Sequence, residues 1–284
     1  MKQKNVIITG ITSGIGTEIA LDLAKHGHRI NLVARSEESG NIIKDLIVKK
    51  TKNNDIHVYK CDLSLQKDIR EFVDNFKKQN DSLDILINNA AMVPKERIIT
   101  SEGIETQFAV NYIAPYLLSR LLLDMLKKSS PSRIVNTSSV AHTSGNLNVD
   151  DFQRLNEKYS MRGVRAYCNS KLALTIDTVE LAKELEGTEV TCNAVHPGGV
   201  NTNIMRYNIP KFLQPLMKKT KFMGTLRLSP KEGANPIIEA ACSDKYDKVS
   251  GKYFDRFTQK DASKKVFDKD VVVKLSEYTK SIVA

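Results

Sequence analysis

Short apolar runs alternate with helical patterns along most of the chain. The runs are rich in β-branched side chains and mostly lack polar alternation, which is typical of parallel strands covered on both faces. The predicted strands are Val6–Thr9, Ile30–Ala34, Ile56–Lys60, Leu83–Asn88, Arg133–Ser138, Val190–Val195 and Lys252–Phe254. The predicted helices are Ile15–His26, Ser39–Lys50, Leu65–Gln79, Thr106–Lys127 and Arg165–Glu186. This order predicts an α/β fold of Rossmann type, a doubly wound parallel sheet of about seven strands with right-handed crossovers and helices on both faces.

Two stretches break the alternation. Ala141–Gly163 is polar, and Asn201–Ser229 combines two prolines with lysines and scattered large apolar residues. We interpret both as insertions into a single domain, 1–284, which ends in a C-terminal tail at 258–284. Loops at the carboxyl ends of parallel strands are where ligands bind in such sheets, so both insertions are candidates for the substrate region.

Composition narrows the class of protein. With 284 residues, 41% of them hydrophobic, the chain can bury one large core. No stretch approaches the roughly 20 apolar residues that span a bilayer. The N-terminus enters a strand pattern without signal-peptide features, and the four cysteines form no C-x-x-C pair. These features predict a reduced, cytoplasmic protein.

The net charge of +10 most simply reflects a lysine-rich solvated surface. Contact with a membrane surface or an anionic cofactor is the alternative. Nucleic-acid binding is disfavoured because the chain has no recognition motif and no basic stripe interleaved with aromatic residues.

A glycine-rich turn follows the first strand and opens the first helix. Gly10 would allow the tight turn, Gly14 the approach of a pyrophosphate, and Gly16 close packing of helix on strand. Free N–H groups at the helix start favour phosphate. The strand–turn–helix context favours nucleotide binding over a purely structural turn. The predicted binding residues here are Gly10, Thr12, Ser13, Gly14, Ile15 and Gly16.

The residues after the second and third strands bear on cofactor choice. Arg35 stands where an acidic residue would bind the ribose 2′-hydroxyl of NAD, and an arginine suits the 2′-phosphate of NADP. NADP(H) is therefore favoured over NAD(H), unless Arg35 is an ordinary surface charge. Asp62, with Leu63, would bind the adenine amino group; the competing interpretation is a helix cap.

Tyr167 and Lys171 lie four residues apart, about one helical turn, and so share a helix face. A phenol titrates near pH 10, and a neighbouring ammonium favours the phenolate. The pair could therefore transfer a proton to or from an alcohol or carbonyl. A second pair, Tyr207 and Lys211, is a weaker candidate because Pro210 interrupts any helix that carries both.

In this order, the glycine turn, Asn88-Asn89-Ala90, Asn111, Ser139 and Tyr167-x-x-x-Lys171 resemble the short-chain dehydrogenase/reductase family, from the N-terminus to about Phe254. Details around Ser139, Tyr167 and Val195–Val200 are similar to its branch of retinol dehydrogenases and carbonyl reductases. One departure is Ala91, where the family usually has a glycine.

The resemblance implies four catalytic residues. Ser139 would bind the substrate oxygen, although Ser138 is an alternative. Tyr167 would donate or accept the proton. Lys171 would lower the Tyr167 pKa and hold the nicotinamide ribose. Asn111 would position Lys171 through a water relay, unless it is a polar helix residue bonded to backbone. Further cofactor contacts are implied for Asn89, Ala90, Tyr167, Lys171, Pro197, Gly198, Val200 and Thr202.

The resemblance also implies a substrate lid at 201–229. Its mixture of aromatic, aliphatic and lysine residues predicts a lipophilic aldehyde, ketone or alcohol as substrate, with retinoids and steroids as models. A minority interpretation places the basic 206–227 segment on an anionic membrane. Family members commonly form homodimers or homotetramers. The alternative to an enzyme is a non-catalytic NADPH sensor or scaffold of the same fold.

Overall fold

The computed structural model describes residues 2–12, 14–159, 163–200 and 228–283. The strands are β1 (Asn5–Thr9), β2 (Arg29–Ala34), β3 (Ile56–Lys60), β4 (Ile85–Asn88), β5 (Ser132–Thr137), β6 (Val190–His196), β7 (Tyr253–Asp255) and β8 (Thr258–Lys260). The helices are α1 (Ile15–Lys25), α2 (Glu37–Thr51), α3 (Gln66–Gln79), α4 (Thr106–Phe108), α5 (Ala114–Leu121), α6 (Leu123–Lys128), α7 (Val164–Glu184), α8 (Pro230–Cys242) and α9 (Lys269–Val283).

The strands form one sheet in the order β3-β2-β1-β4-β5-β6-β7-β8. All pairs are parallel except the hairpin between β7 and β8. The chain order reverses direction between β1 and β4, so the connections diverge there and leave a crevice at the carboxyl ends of these strands. The predicted doubly wound α/β sheet is confirmed, with one antiparallel strand more than expected.

Two apolar cores cover the two faces of the sheet. One contains Phe72 and Phe76 of α3, Leu117 of α5 and Leu172 of α7. The other packs α1, α2 and α8 against the opposite face. Both faces are therefore buried, which explains why the parallel strands read as continuous apolar runs rather than as alternating ones.

The segment Thr106–Lys127 was predicted as one helix, and the structure divides it. A π-helical stretch, Ala109–Ile113, separates α4 from α5, and Leu122 separates α5 from α6. Such π-helical insertions are frequent at functional sites, and this one contains Asn111.

Residues 258–283, predicted only as a tail, fold back onto the domain as β8, a 3₁₀ turn at Lys264–Phe267 and α9. The Tyr112 hydroxyl and Thr279 Oγ1 lie 2.7 Å apart, and Gln66 donates to the Ile282 carbonyl. α9 therefore packs against the helices on one face of the sheet. Within the described ranges, no helix is both long and apolar enough to cross a bilayer.

Candidate active site

A cleft of about 1310 Å³ opens at the carboxyl ends of the parallel strands. Most of the residues predicted from the sequence line it: Gly10, Thr12, Ile15, Arg35, Asp62, Leu63, Asn89, Ala90, Ser139, Tyr167, Lys171, Pro197, Gly198 and Val200. Gly14, Gly16 and Asn111 lie outside this lining. Ser13, Thr202, the Tyr207–Lys211 pair and the lid at 201–227 fall outside the described residues.

The glycine turn is packed so tightly that side chains would not fit. Gly10 has a φ of +70°, and a Cβ there would lie 2.6 Å from the Ala90 Cα. A Cβ on Gly16 would lie 2.2 Å from the Gly10 carbonyl oxygen. Real Cβ atoms do not approach other atoms so closely, so the start of α1 can lie against the turn only with glycine at these positions.

Asn89 braces this turn. Its amide donates to the carbonyls of Thr9 at 3.1 Å and Gly10 at 3.2 Å. In return, the Thr9 hydroxyl accepts from the backbone N–H groups of Asn89 and Ala90. Asn89 was predicted to line the cofactor; it does line the cleft, while both amide hydrogens are engaged in holding β1 to the loop after β4.

Ala91 adopts an ordinary backbone conformation. Four non-glycine residues of the described chain have left-handed φ, and Ala91 is not among them. The loop beside the glycine turn therefore does not require a glycine at this position.

Arg35 and Asp62 lie at one end of the cleft. Arg35 is exposed on the rim after β2 and forms no ion pair within the described part of the chain. Asp62 Oδ1 accepts from the backbone and the hydroxyl of Ser64, at 2.9 and 2.7 Å. Because Leu65 is the N-cap of α3, Asp62 closes the preceding turn and does not cap the helix itself.

Tyr167 and Lys171 lie on the first two turns of α7 and both face the cleft. Lys171 Nζ donates to the Thr137 carbonyl at 2.7 Å and lies 5.8 Å from the centroid of the Tyr167 ring. Burial lowers the pKa of Lys171 to about 7. The pair is therefore assembled as predicted, with an amine that titrates near neutrality.

Burial opposes the lowering of the Tyr167 pKa that was predicted for Lys171. Burial raises the pKa of Tyr167 to about 12, and a hydrogen bond with Ser139 acts in the opposite direction without overcoming it. Desolvation disfavours every charged form, so it keeps the phenol neutral at pH 7 and lowers the pKa of the amine to near that pH.

Two adjacent serines follow β5 and face different surroundings. The hydroxyl of Ser138 is buried and lies 2.8 Å from Thr175 Oγ1 of α7. The hydroxyl of Ser139 accepts from the Ala141 N–H at 3.2 Å and lies close enough to Tyr167 to act against the rise of its pKa. Ser139 is therefore the hydroxyl that remains available beside the Tyr167 phenol.

Asn111 connects two segments of the site without contacting Lys171. Its side chain accepts from the Met92 N–H at 2.9 Å and donates to the Met92 carbonyl and to Ser170 Oγ. The side chain is thus bonded to backbone, as the alternative interpretation held. Ser170 is the neighbour of Lys171 on α7.

Residues without a predicted role also line the cleft. His196, Asp255 and Arg256 lie at the carboxyl ends of β6 and β7, near Ser139. Burial lowers the pKa of His196, against an opposite effect from the Asp255 carboxylate. The strand-end position of His196, just before Pro197, was the available sequence signal. β7 is too short for its pattern to indicate where Asp255 and Arg256 point.

The family model described as "short chain dehydrogenase" matches residues 4–150 and 155–211. Retinol dehydrogenase 13 from Mus musculus is 38% identical over 280 residues, covering 96% of this chain and 81% of that protein. Retinol dehydrogenase 12 from Homo sapiens is 40% identical over 256 residues, covering 88% and 77%.

Solved structures agree with this assignment. An uncharacterised protein from Mycobacterium paratuberculosis superposes with a TM-score of 0.79 at 26% identity, covering 99% of this chain and 93% of that one. A short-chain dehydrogenase from Shigella flexneri, solved with NADP, has a TM-score of 0.68 at 20% identity, covering 91% and 98%, and supports the fold alone. With the cleft, the glycine turn and the Tyr167–Lys171 pair in place, the chain belongs to the short-chain dehydrogenase family of oxidoreductases, on its retinol dehydrogenase-like branch.

Proposed function

We propose that the protein is an NADP(H)-dependent oxidoreductase that interconverts a carbonyl and an alcohol on a lipophilic substrate. The convergence of Ser139, Tyr167 and Lys171 on one cleft with the glycine turn carries this proposal. A hydroxyl, a phenol and an amine at one end, and a tight turn at a helix start at the other, supply proton transfer and phosphate binding within one cavity.

The residues present fit a dinucleotide. The cleft extends from the rim at Arg35, past the turn at Gly10, to Ser139. Space that a Cβ would fill at Gly10 and Gly16 is already taken by neighbouring backbone, so the start of α1 lies directly against the turn, and the free N–H groups of a helix start favour phosphate. When bound, the cofactor supplies the hydride; the chain provides placement and electrostatics.

The ionisation of the catalytic pair then depends on what occupies the cleft. Lys171 holds a proton more strongly when a negatively charged ligand lies beside it, because the opposite charge offsets burial. The resulting ammonium favours the Tyr167 phenolate. Tyr167 would donate its proton to the substrate oxygen in reduction and accept it in oxidation, while Ser139 holds that oxygen by a hydrogen bond.

Arg35 supports the preference for NADP(H). It is an exposed cation after β2, at the position where a 2′-phosphate would lie, and the first acidic residue that follows is Glu37. A planar guanidinium with several donors is well suited to phosphate.

A lipophilic substrate is supported by the relatives, which are named retinol dehydrogenases at 38 and 40% identity. The apolar residues between Arg206 and Arg227 would contribute the covering surface. Retinal and other hydrophobic aldehydes are therefore the first substrates to test.

The test is loss of NADPH absorbance in the presence of hydrophobic aldehydes and ketones, with retinal among them. We expect turnover with NADPH and little with NADH. Tight NADPH binding without turnover on any carbonyl would contradict the proposal and favour the sensor or scaffold.

We also propose peripheral membrane contact through the basic segment 206–227, as a property separate from catalysis. Lysines beside large apolar residues favour an anionic lipid surface. Co-sedimentation with vesicles of anionic and neutral lipid is the measurement. Equal pelleting of the wild type and a variant neutralised at Lys218, Lys219 and Lys221 would exclude this contact.

A further inference from the structure

His142 is a buried histidine directly behind the proposed catalytic serine. It lies on a 3₁₀ turn, Val140–Ser144, whose N-cap is Ser139. The imidazole is 1% exposed, and its Nδ1 lies 2.7 Å from the Ser139 carbonyl oxygen. The same carbonyl accepts the backbone N–H of His142 at 3.1 Å. Two donors from one residue therefore hold the main chain of Ser139.

The other ring nitrogen faces a donor. Nε2 accepts the backbone N–H of Ser263 at 3.2 Å. Because a carbonyl only accepts and a backbone N–H only donates, the two partners fix one neutral tautomer, with the proton on Nδ1. Burial also lowers the pKa of His142, and its ring packs 4.5 Å from that of Tyr253 on β7. The imidazole thus forms a directional bridge from Ser139 to the C-terminal segment.

A second contact secures the same turn. Lys265 Nζ donates to the Gly145 carbonyl at 2.6 Å. On its other side Gly145 lies against α7, where an added Cβ would come within 2.7 Å of the Cys168 carbonyl and of Leu172. The loop after Ser139 is therefore clamped between the helix that carries Tyr167 and the C-terminal segment.

We propose that His142 is a positioning residue, which holds Ser139 at the correct distance from Tyr167 by linking it to the C-terminal segment 258–283. This role rests on the proposed function, because it assumes that Ser139 binds the substrate oxygen. Hydrogen-bond donors act in catalysis only when they are fixed to within a fraction of an ångström. The fold supplies that constraint from a segment outside the catalytic motifs.

Two substitutions at opposite ends of the bridge test the role. His142→Phe keeps a ring beside Tyr253 and removes both hydrogen bonds of the imidazole. Ser263→Pro removes only the donor to Nε2 from the bridge, and the φ of −50° at Ser263 lies within the range of proline. Ser263→Ala is the matched control, because it removes the hydroxyl that caps Lys265 and keeps the backbone N–H.

The measurements are the NADPH dissociation constant, kcat per bound NADPH and the isotope effect with deuterated NADPH. A displaced Ser139 should lower kcat about 10- to 100-fold in His142→Phe and in Ser263→Pro, as a misplacement near 1 Å can. The isotope effect should rise because hydride transfer becomes rate-limiting. The NADPH dissociation constants of the variants should stay within about twofold of wild type, and so should the kcat of Ser263→Ala. The kcat of the double variant should be little lower than that of either single variant.

The outcomes separate this role from the proposed function. A wild-type protein that binds NADPH but reduces no carbonyl would refute the proposed function. If the wild type turns over and the Ser263→Pro and His142→Phe proteins keep the same kcat per bound NADPH, only the role of His142 is refuted. If His142→Phe does not fold, equal kcat in the Ser263→Pro and Ser263→Ala proteins has the same meaning.

Discussion

The two ends of the cleft are built in different ways. At the cofactor end, around Gly10 and Arg35, the contacts come from the first β-α-β unit and from Asn89, which braces it. At the substrate end, around Ser139 and Tyr167, the surroundings come from β5, α7, β6, β7 and the C-terminal segment, which are far apart in sequence. The cofactor end is thus encoded locally, whereas the substrate end exists only after the whole domain has folded.

The ends also differ in electrostatics. Arg35 is an exposed cation at the rim of the cleft. Lys171 is buried, with a pKa lowered to about 7, beside a phenol whose pKa is raised to about 12. The cofactor end therefore presents a solvated cation, whereas burial disfavours the charged forms of both groups at the substrate end.

The largest effect is expected from a substitution that disables only the substrate end of the cleft. Tyr167→Phe removes the proton donor, and kcat should fall by about 10²- to 10⁴-fold, the usual contribution of general acid–base catalysis. NADPH binding, measured by fluorescence titration, should change little. Tyr246→Phe, in the core beside α8, is the matched control and should retain turnover. Full activity in Tyr167→Phe would refute the assigned proton donor.

Lys171, although proposed to act in catalysis, should destabilise the folded protein near neutral pH. Its pKa falls from 10.5 to about 7 on folding, so as pH drops through this range the unfolded chain takes up a proton that the native state does not. The contribution of Lys171 therefore weakens the native protein progressively between about pH 10.5 and 7. Lys171→Met removes this destabilising effect and also loses the hydrogen bond to Thr137. The free energy of unfolding should therefore increase by a net amount on the order of 3 kcal/mol at pH 7.

Urea unfolding of the ligand-free protein at pH 7 and pH 9 would measure this effect. The difference between wild type and Lys171→Met should shrink by about 2 kcal/mol at the higher pH. Lys183→Met is the matched control on the same helix, because Lys183 is exposed. In Lys171→Met, turnover and NADPH affinity should both fall; unchanged affinity would restrict Lys171 to the substrate end.

The cofactor end should respond selectively to Arg35→Ala. Loss of charged hydrogen bonds to a 2′-phosphate should raise the NADPH dissociation constant about 10- to 100-fold. The NADH dissociation constant serves as the internal control and should remain the same. Equal losses for both cofactors, or none for either, would show that Arg35 does not select NADP.

The smallest effect is expected for Ala91→Gly. Because Ala91 has an ordinary φ, the glycine usual in the family brings no relief of strain. Greater freedom of the unfolded chain should cost about 0.5–1 kcal/mol, and activity should stay within about twofold. Thermal unfolding and steady-state kinetics would check both. A gain in stability would mean that the loop prefers a conformation that alanine resists.

The sequence predicts the fold and the cofactor end well because both depend on short-range patterns. β-branched runs mark the seven parallel strands, and Gly10 and Gly16 mark a turn whose geometry excludes side chains. The Tyr167–Lys171 spacing identifies a helix face. Each of these features can be recognised from a few neighbouring residues of the sequence.

Other features of the site depend on partners that no local pattern specifies. His142 is an ordinary polar residue in sequence, and only the fold brings Ser263 to its ring. The side chain of Asn111 is engaged by Met92 and Ser170, and the raised Tyr167 pKa follows from burial. Segment 258–283 was predicted as a tail because its anchors, such as Tyr112, lie more than a hundred residues away.

The hairpin between β7 and β8 also bears on how copies of the chain meet. Without β8, one edge of the sheet would expose the backbone of Tyr253 and Phe254, an apolar edge suited to pairing with another molecule. β8 covers it with three exposed polar residues and ends in Lys260, which is paired with Asp255. A strand added by a second copy would have to approach this lysine, so the short hairpin protects the sheet against growth into aggregates.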